Sequence, residues 1–485
     1  MKNRIKKYVS VSLIALLLCS CDDYMDINTN PNYPGDADVN MLLPSGQIAI
    51  AGIVGGDMEL VGGLWSQHYT QNSSSNQYNT TVDYTISNTS YSRFWSIPYT
   101  VALPDLALVI KKADEANLTN YSLVADIMTC FGFHILASWY ENVPYTEALL
   151  GEENLYPKYD NGPTINAALI ARLDAAIAKI ADAKSAAIKI DKDDLVFGGD
   201  LDNWVAFAKT LKLKLMMRDF TTNRAAIQSA LTAGGFLTVD AKMDQFSDKE
   251  NNSNPLYEND RRKLNTQNNI AASATLVNYL LANSDPRIAV FYEKNTSDGY
   301  FGLNCGDRPP VAEIPAGQIS RAMLAPEDPV YFTSLAETYF LQAEAYARLD
   351  NRAAAKTAYD NGVTEAFDRW GFSASTFIAA GGAYEFNSTS TDAMLKCILT
   401  QKWVAATRCQ AWDSYFDINR TGIPALGSKL PTDEGYVLGE LSPVVGSTIG
   451  ENEFPKRMIY PKASADNNPN APTAVAITVK QWWHK

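Results

Sequence analysis

Two stretches of this chain carry side chains suited to gripping a flat, hydroxyl-edged ligand. The first, residues 65–78, reads WSQHYTQNSSSNQY and sets Trp65, His68, Tyr69 and Tyr78 beside the amides Asn76 and Gln77. Aromatic faces attract apolar C–H surfaces, and neutral amides donate to and accept from hydroxyls. Ligand pockets generally combine apolar walls with a few such polar groups, and a sugar ring offers both kinds of surface. The second stretch, FYEKNTSDGYFGLN at 291–304, supplies Tyr292, Asp298 and Tyr300 in a Gly- and Asn-containing loop. Each ring also has a plainer reading as packing. Trp65 follows the apolar VGGL, the 291–304 stretch also reads as a surface turn, and Trp482 and Trp483 read as anchors of the tail.

Bond-breaking chemistry leaves no comparable trace. The chain has three histidines, His68, His134 and His484, and contains no HExxH, GxSxG, Walker A or GxGxxG sequence. Carboxylates are plentiful, but no spacing marks two of them as facing each other across a glycosidic bond. His134, between Phe133 and Ile135 in a helical run, reads as a core histidine. With neither metal-ligand spacing nor a cofactor motif, the expectation is binding without catalysis and without a cofactor.

The N-terminus carries a different chemistry. MKNRIKK is basic, Val9–Leu18 is a short apolar run, and LCSC closes it. This order describes an export signal, too short to remain as a span, which needs roughly 20 apolar residues. Leu18, Ser20 and Cys21 match a lipobox, so cleavage before Cys21 would leave that cysteine as a lipidated, palmitate-bearing N-terminus; an ordinary secretory cut near Ser20 is the alternative. Removing 1–20 takes away four positive charges and no acid, moving the net charge from −13 to −17. So acidic a body disfavours nucleic acid and anionic lipid surfaces. The lipid itself is then the anchor, and more than one acyl chain makes it stable.

The elements that would position these residues are mainly helical. Residues 21–40 read as a polar tether and 41–485 as one body. Ile165, Leu169, Leu173, Ile177 and Ile180 draw one helical stripe behind Pro163. Trp204, Phe207, Leu211 and Leu215 draw another, with Asp202 as the expected N-cap. Residues 122–140 and 392–416 read as long buried helices. In one continuous helix, Cys397 and Cys409 would stand about 18 Å apart, beyond the ~7 Å a disulfide tolerates. These two, with Cys130 and Cys305, are expected as free thiols. At 333–367, Tyr339, Ala343, Tyr346, Ala355, Tyr359 and Gly362 alternate large and small at tetratricopeptide-repeat (TPR) spacing. One such pair cannot bury its own faces, so other helices must flank it. Between helices lie long irregular stretches at 66–91, 141–162, 233–270, 291–330 and 425–475, unusual unless they bind or cap something.

Several segments together resemble the SusD/RagB-like nutrient-binding outer-membrane lipoproteins of Bacteroidetes, in their divergent SusD-like branch. They are the lipobox followed by Asp22 and Asp23, YMDINTNPNYP, YENVPYTEAL, DLVFGGDLDNWVAFAKTLKLKLMMR, YFLQAEAYAR, QKWVAATRCQAWDSYFDINRTGIP and RMIYPKAS. The resemblance implies a mainly α fold in which four TPR-like helix pairs pack against a loop-rich, ligand-binding half. It implies a non-catalytic subunit that captures an oligosaccharide, or in some members a peptide, at the cell surface. Its implied partner is a SusC-like TonB-dependent transporter, over which it acts as a lid. The acids after Cys21 resemble the family's signal for outward display. Trp204, Trp403, Trp412 and Arg420 match family positions and read as framework, Arg420 pairing with a buried acid or helix-end carbonyls. Lys209 departs from the Asn usual in that segment, and the aromatic arc of the founding member has no position-by-position match here.

Overall fold

The computed structural model describes residues 37–264 and 268–485. The expected signal peptide, Cys21 and nearly all of the tether lie outside the described residues, and helix already takes in Val39 and Asn40. Helix α1 (Val39–Ile53) runs through a π-helical turn at Val54–Met58 into α2 (Glu59–Trp65). Next come α3 (Leu103–Glu115) and α4 (Thr119–Tyr140), the latter buried from Asn120 to Tyr140 as the sequence predicts. Val39–Trp65 and Thr119–Tyr140 are each apolar and long enough to cross a membrane, yet 78% and 100% of those windows are buried in the protein. A helix apolar on every side belongs in a large core.

Helix α5 (Gly162–Ala178) starts where Asn161 accepts from Thr164 N at 3.0 Å, with Pro163 in the first turn. Ile165, Leu169 and Leu173 are fully buried, and Ile177 and Ile180 lie at the partly exposed margin. Helix α6 (Leu201–Met216) is capped by Asp200 and not by Asp202. Asp200 holds the extended backbone of a cap and accepts from the N–H groups of Asp202 and Asn203 at 2.9 and 3.1 Å. Buried Asp194 then ties α1 to α6, accepting from Gln47 Nε2 at 2.9 Å and Trp204 Nε1 at 2.7 Å. Helices α7 (Phe220–Ala233) and α8 (Ala274–Ala282) follow.

The expected repeat is α9 (Leu335–Arg348) and α10 (Arg352–Asp368). Ala343, Ala355, Tyr359 and Gly362 are buried between them. A Cβ on Gly362 would lie 2.9 Å from the Phe340 ring. Phe340 is therefore the large residue at this crossing, and Tyr339 and Tyr346 sit at the partly exposed edge. The stretch expected as one helix at 392–416 is two, α11 (Thr391–Ala405) and α12 (Ala411–Thr421). Tertiary bonds end the first. In the break, Gln410 accepts from Ser334 N at 2.8 Å and donates to Glu337 at 2.7 Å, while Arg408 takes a positive φ. Cys409 lies in that break, so the helical-rise argument against a 397–409 bridge does not apply; all four described cysteines are nonetheless free.

The helix pairs α3/α4, α5/α6 and α9/α10 form the scaffold, with α11 packed on α9 and α12 on α2. Among the described residues, two small antiparallel ribbons serve the loop-rich remainder. One pairs β1 (Tyr69–Gln71) with β3 (Ile270–Ala272), and the other pairs β2 (Ala241–Met243) with β4 (Val330–Thr333).

Candidate functional site

The two stretches nominated from the sequence meet, but below the surface. Tyr292 donates its hydroxyl to His68 O at 2.6 Å, and the Tyr69 and Tyr292 rings meet edge to face at 6.3 Å. Trp65 donates to Thr81 O at 2.9 Å and packs among Tyr84, Trp139 and Tyr415. Trp65, His68, Tyr69, Tyr78 and Tyr292 are all buried, so none of these rings offers a face to a ligand. The expectation that they stack on one is corrected: they are the floor on which the loops rest. Burial holds His68 neutral, lowering its pKa to about 3, and His134 is likewise buried and held neutral. Strand β1 is covered on both faces, which removes the alternation that would have brought its rings out.

Asn76, Gln77 and Asp298 do reach solvent, and Tyr300 is half-buried. Asp298 pairs with Lys294 at 2.8 Å. The loop bearing Asn76 and Gln77 is held at several points. Asn72 N donates to Asn269 O at 2.8 Å, and Arg308 joins Asp83 at 2.6 Å. Tyr78 donates to the buried carboxylate of Asp260 at 2.8 Å, where Asn269 also donates at 3.0 Å.

Asp260 belongs to a π-helical turn, Glu258–Lys263, that separates this loop from a concave surface. On the far side of the turn, Asn259 and Lys263 line a hollow of 320 Å³ with Ile48, Phe246, Gln245, Asn251 and Asn252. A second hollow of 530 Å³ continues along α1 past Met41, Pro44, Ile97 and Val101, sharing Ile48, Gly52 and Arg93 with the first. Met41 and Ile48 are 62% and 54% exposed, large apolar side chains on the outward face of α1. Asp57 lies next to this groove, 3.9 Å from Arg93 and 3.4 Å from Asn259; burial raises its pKa against the pull of Arg93 and Lys263.

Sequence reasoning missed these groove residues. Their signal was the amide-rich NNSN at 251–254 inside a long polar stretch, together with one isoleucine facing outward from α1. The groove joins apolar walls to neutral amides that can both donate and accept, which fits a neutral, polyhydroxylated ligand. Among the described residues, no group of three or more His, Cys, Asp or Glu is placed to share a metal ion.

Comparison with known proteins follows this geometry. The SusD-like family described as "Starch-binding associating with outer membrane" matches residues 57–461. A SusD homologue from Bacteroides uniformis superposes with a TM-score of 0.71 at 21% identity, covering 93% of this chain and 100% of its own. A chitin-binding SusD homologue from Flavobacterium johnsoniae gives 0.73 at 17%, covering 92% and 98%. A further homologue from Bacteroides vulgatus gives 0.74 at 17%, covering 92% and 97%. No curated protein sequence matches. On a family match that spans most of its length, over a mainly helical fold shared with these structures, the chain belongs to the SusD-like family.

Proposed function

We propose that the protein captures an oligosaccharide at the outer surface of the outer membrane and passes it to a SusC-like TonB-dependent transporter, performing no chemistry on it. The groove along α1 carries the reading, because Phe246 and Ile48 face the same space as the amides of Gln245, Asn251, Asn252 and Asn259. The family description and the chitin-binding relative support a glycan as the ligand class. Lipid on Cys21 would hold the protein at the membrane, with the exposed Asn76, Gln77 and Asp298 and the half-buried Tyr300 as secondary contacts.

Calorimetry against a glycan panel, using residues 22–485, tests this. Binding of at least one glycan is expected, and Phe246→Ala should weaken it by about 1–2 kcal/mol, the scale of a truncated aromatic contact. Binding of peptides and no glycan would replace the ligand class. Glycan binding untouched by Phe246→Ala and by Asn251→Ala would move the site out of the groove.

A further inference from the structure

An 860 Å³ cavity opens where α9, α11 and α12 meet residues 482–485, sharing no lining residue with the groove along α1. Beneath it runs a buried ion network. Lys214 pairs with Glu337 at 2.5 Å and Asp413 at 2.9 Å. Lys402 reaches the same two acids at 3.3 and 3.4 Å and Asp417 at 2.5 Å. Arg420 joins Asp417 at 2.7 Å and grips Glu344 with both ends of its fork, and Arg348 pairs with Glu344 at 2.8 Å. These four cations and four carboxylates balance.

Arg218 adds one more cation at the cavity wall, and no ion pair forms on it among the described residues. Its guanidinium lies over the Trp483 ring at 4.4 Å and donates to Ser138 Oγ at 2.5 Å. Burial presses its pKa down to about 9; the carboxylates of Asp413 and Asp417 pull it back up, and the charge of nearby Arg420 adds to the push. The same positive field, from Lys456 and Arg218 among others, acts with burial to keep His484 neutral. Acids do line the cavity. Asp219 is engaged as the cap of α7, accepting from Thr222 N at 3.1 Å. Exposed Asp392, with Glu440, offsets the exposed Lys396 and Lys485 at the rim, where solvent screening leaves each charge worth little. Arg218 is thus a cation of the cavity wall that feels Asp413 and Asp417 without pairing directly with a carboxylate among the described residues.

We propose that this cavity is a second small-molecule site, taking an organic ligand through a carboxylate, sulfate or phosphate group held by Arg218. The planar guanidinium matches such oxyanions with two parallel hydrogen bonds. Leu395, Ile423, Pro424 and Trp482 give the ligand's body an apolar wall. Bound there, the anion would give Arg218 the ion-pair partner it does not have among the described residues.

Equilibrium dialysis of the 22–485 protein against sulfate, inorganic phosphate and glucuronate tests the site, with glucose as the neutral control and chloride holding ionic strength constant. At least one anion should bind saturably at one site per chain, with glucuronate alone assigning a planar carboxylate and sulfate or phosphate alone a tetrahedral group. Arg218→Gln should weaken binding about tenfold or more, the worth of one lost charged hydrogen bond, while Phe246→Ala leaves it unchanged. If Arg218→Gln does not fold, crystals of the unaltered protein soaked in selenate give the answer: an anomalous peak beside Arg218 supports the site. No saturable anion binding, equal affinity in Arg218→Gln, or no selenate at Arg218 overturns it.

Discussion

At Glu59 a carboxyl group has been taken out of water without a cation beside it. Burial raises its pKa to about 8, and the backbone N–H groups of Ala411 and Trp412 at the start of α12 only partly oppose that rise. The folded protein thus holds a proton here that the unfolded chain releases near its ordinary value of 4.5. The stability this gives is complete below about pH 4.5 and is lost as pH climbs through 8, on the order of 1 kcal/mol per pH unit within that window. Glu59→Gln should therefore flatten the fall in melting temperature between pH 5 and pH 9; equal slopes in the two proteins would refute the assignment. Side-chain placement was the least legible level in the sequence. The pairing of Arg420 with a buried acid was readable, because an arginine inside a helical run needs a partner and Glu344 provides it. The exposure of Tyr69 or Tyr78 was not. Whether a ring in a polar loop points out or in depends on what covers it, and here β3 and Asp260 do, from residues far along the chain.

Elements were more legible, since period and capping are local. The stripe of α6 and the helix pair α9/α10 fall where spacing puts them; the stripe of α5 holds as far as Leu173, and within the repeat Phe340 takes the large position expected of Tyr339. One boundary error sits where a distant contact overrules a local preference, Gln410 ending α11 by bonding to Ser334 and Glu337; the other is a local shift of two residues, Asp200 and not Asp202 capping α6. Close approach of elements also gives a sharp test. A Cβ on Gly62 would sit 2.2 Å from Trp412 Cα, whereas one on Gly52 would meet nothing within 4 Å. Both residues lie in helices. Gly62→Ala should destabilise by about 1–3 kcal/mol or more through overpacking, while Gly52→Ala should be neutral or stabilising by up to about 1 kcal/mol through helix propensity. Chemical denaturation measures both, and a Gly62→Ala variant as stable as Gly52→Ala would contradict the packing.

For the whole molecule, the sequence made the helical class and loop-rich half legible, because composition, periodicity and family segments extend over the full length. The location of the concave surface was not, since α1, Arg93 and residues 243–263 come together only in three dimensions. Attachment is a property of this scale as well. Among the described residues the long apolar helices are packed inside the protein, leaving Cys21 as the proposed anchor. Cys21→Ala should shift the protein from the membrane fraction to the soluble fraction on cell fractionation, with glycan affinity unaltered. Retention at the membrane would assign the anchor elsewhere.

The seat of Trp412 against Gly62 has a consequence for how the chain comes into being. It joins the first helices to the last, so the core cannot close on a partly synthesised polypeptide. Contacts between residues this distant in sequence form slowly, because the intervening loop must be ordered first. A nascent chain of this kind stays open until its final helices have been made. Such a chain would stay competent for threading through a narrow channel, as the export proposed for this protein would require.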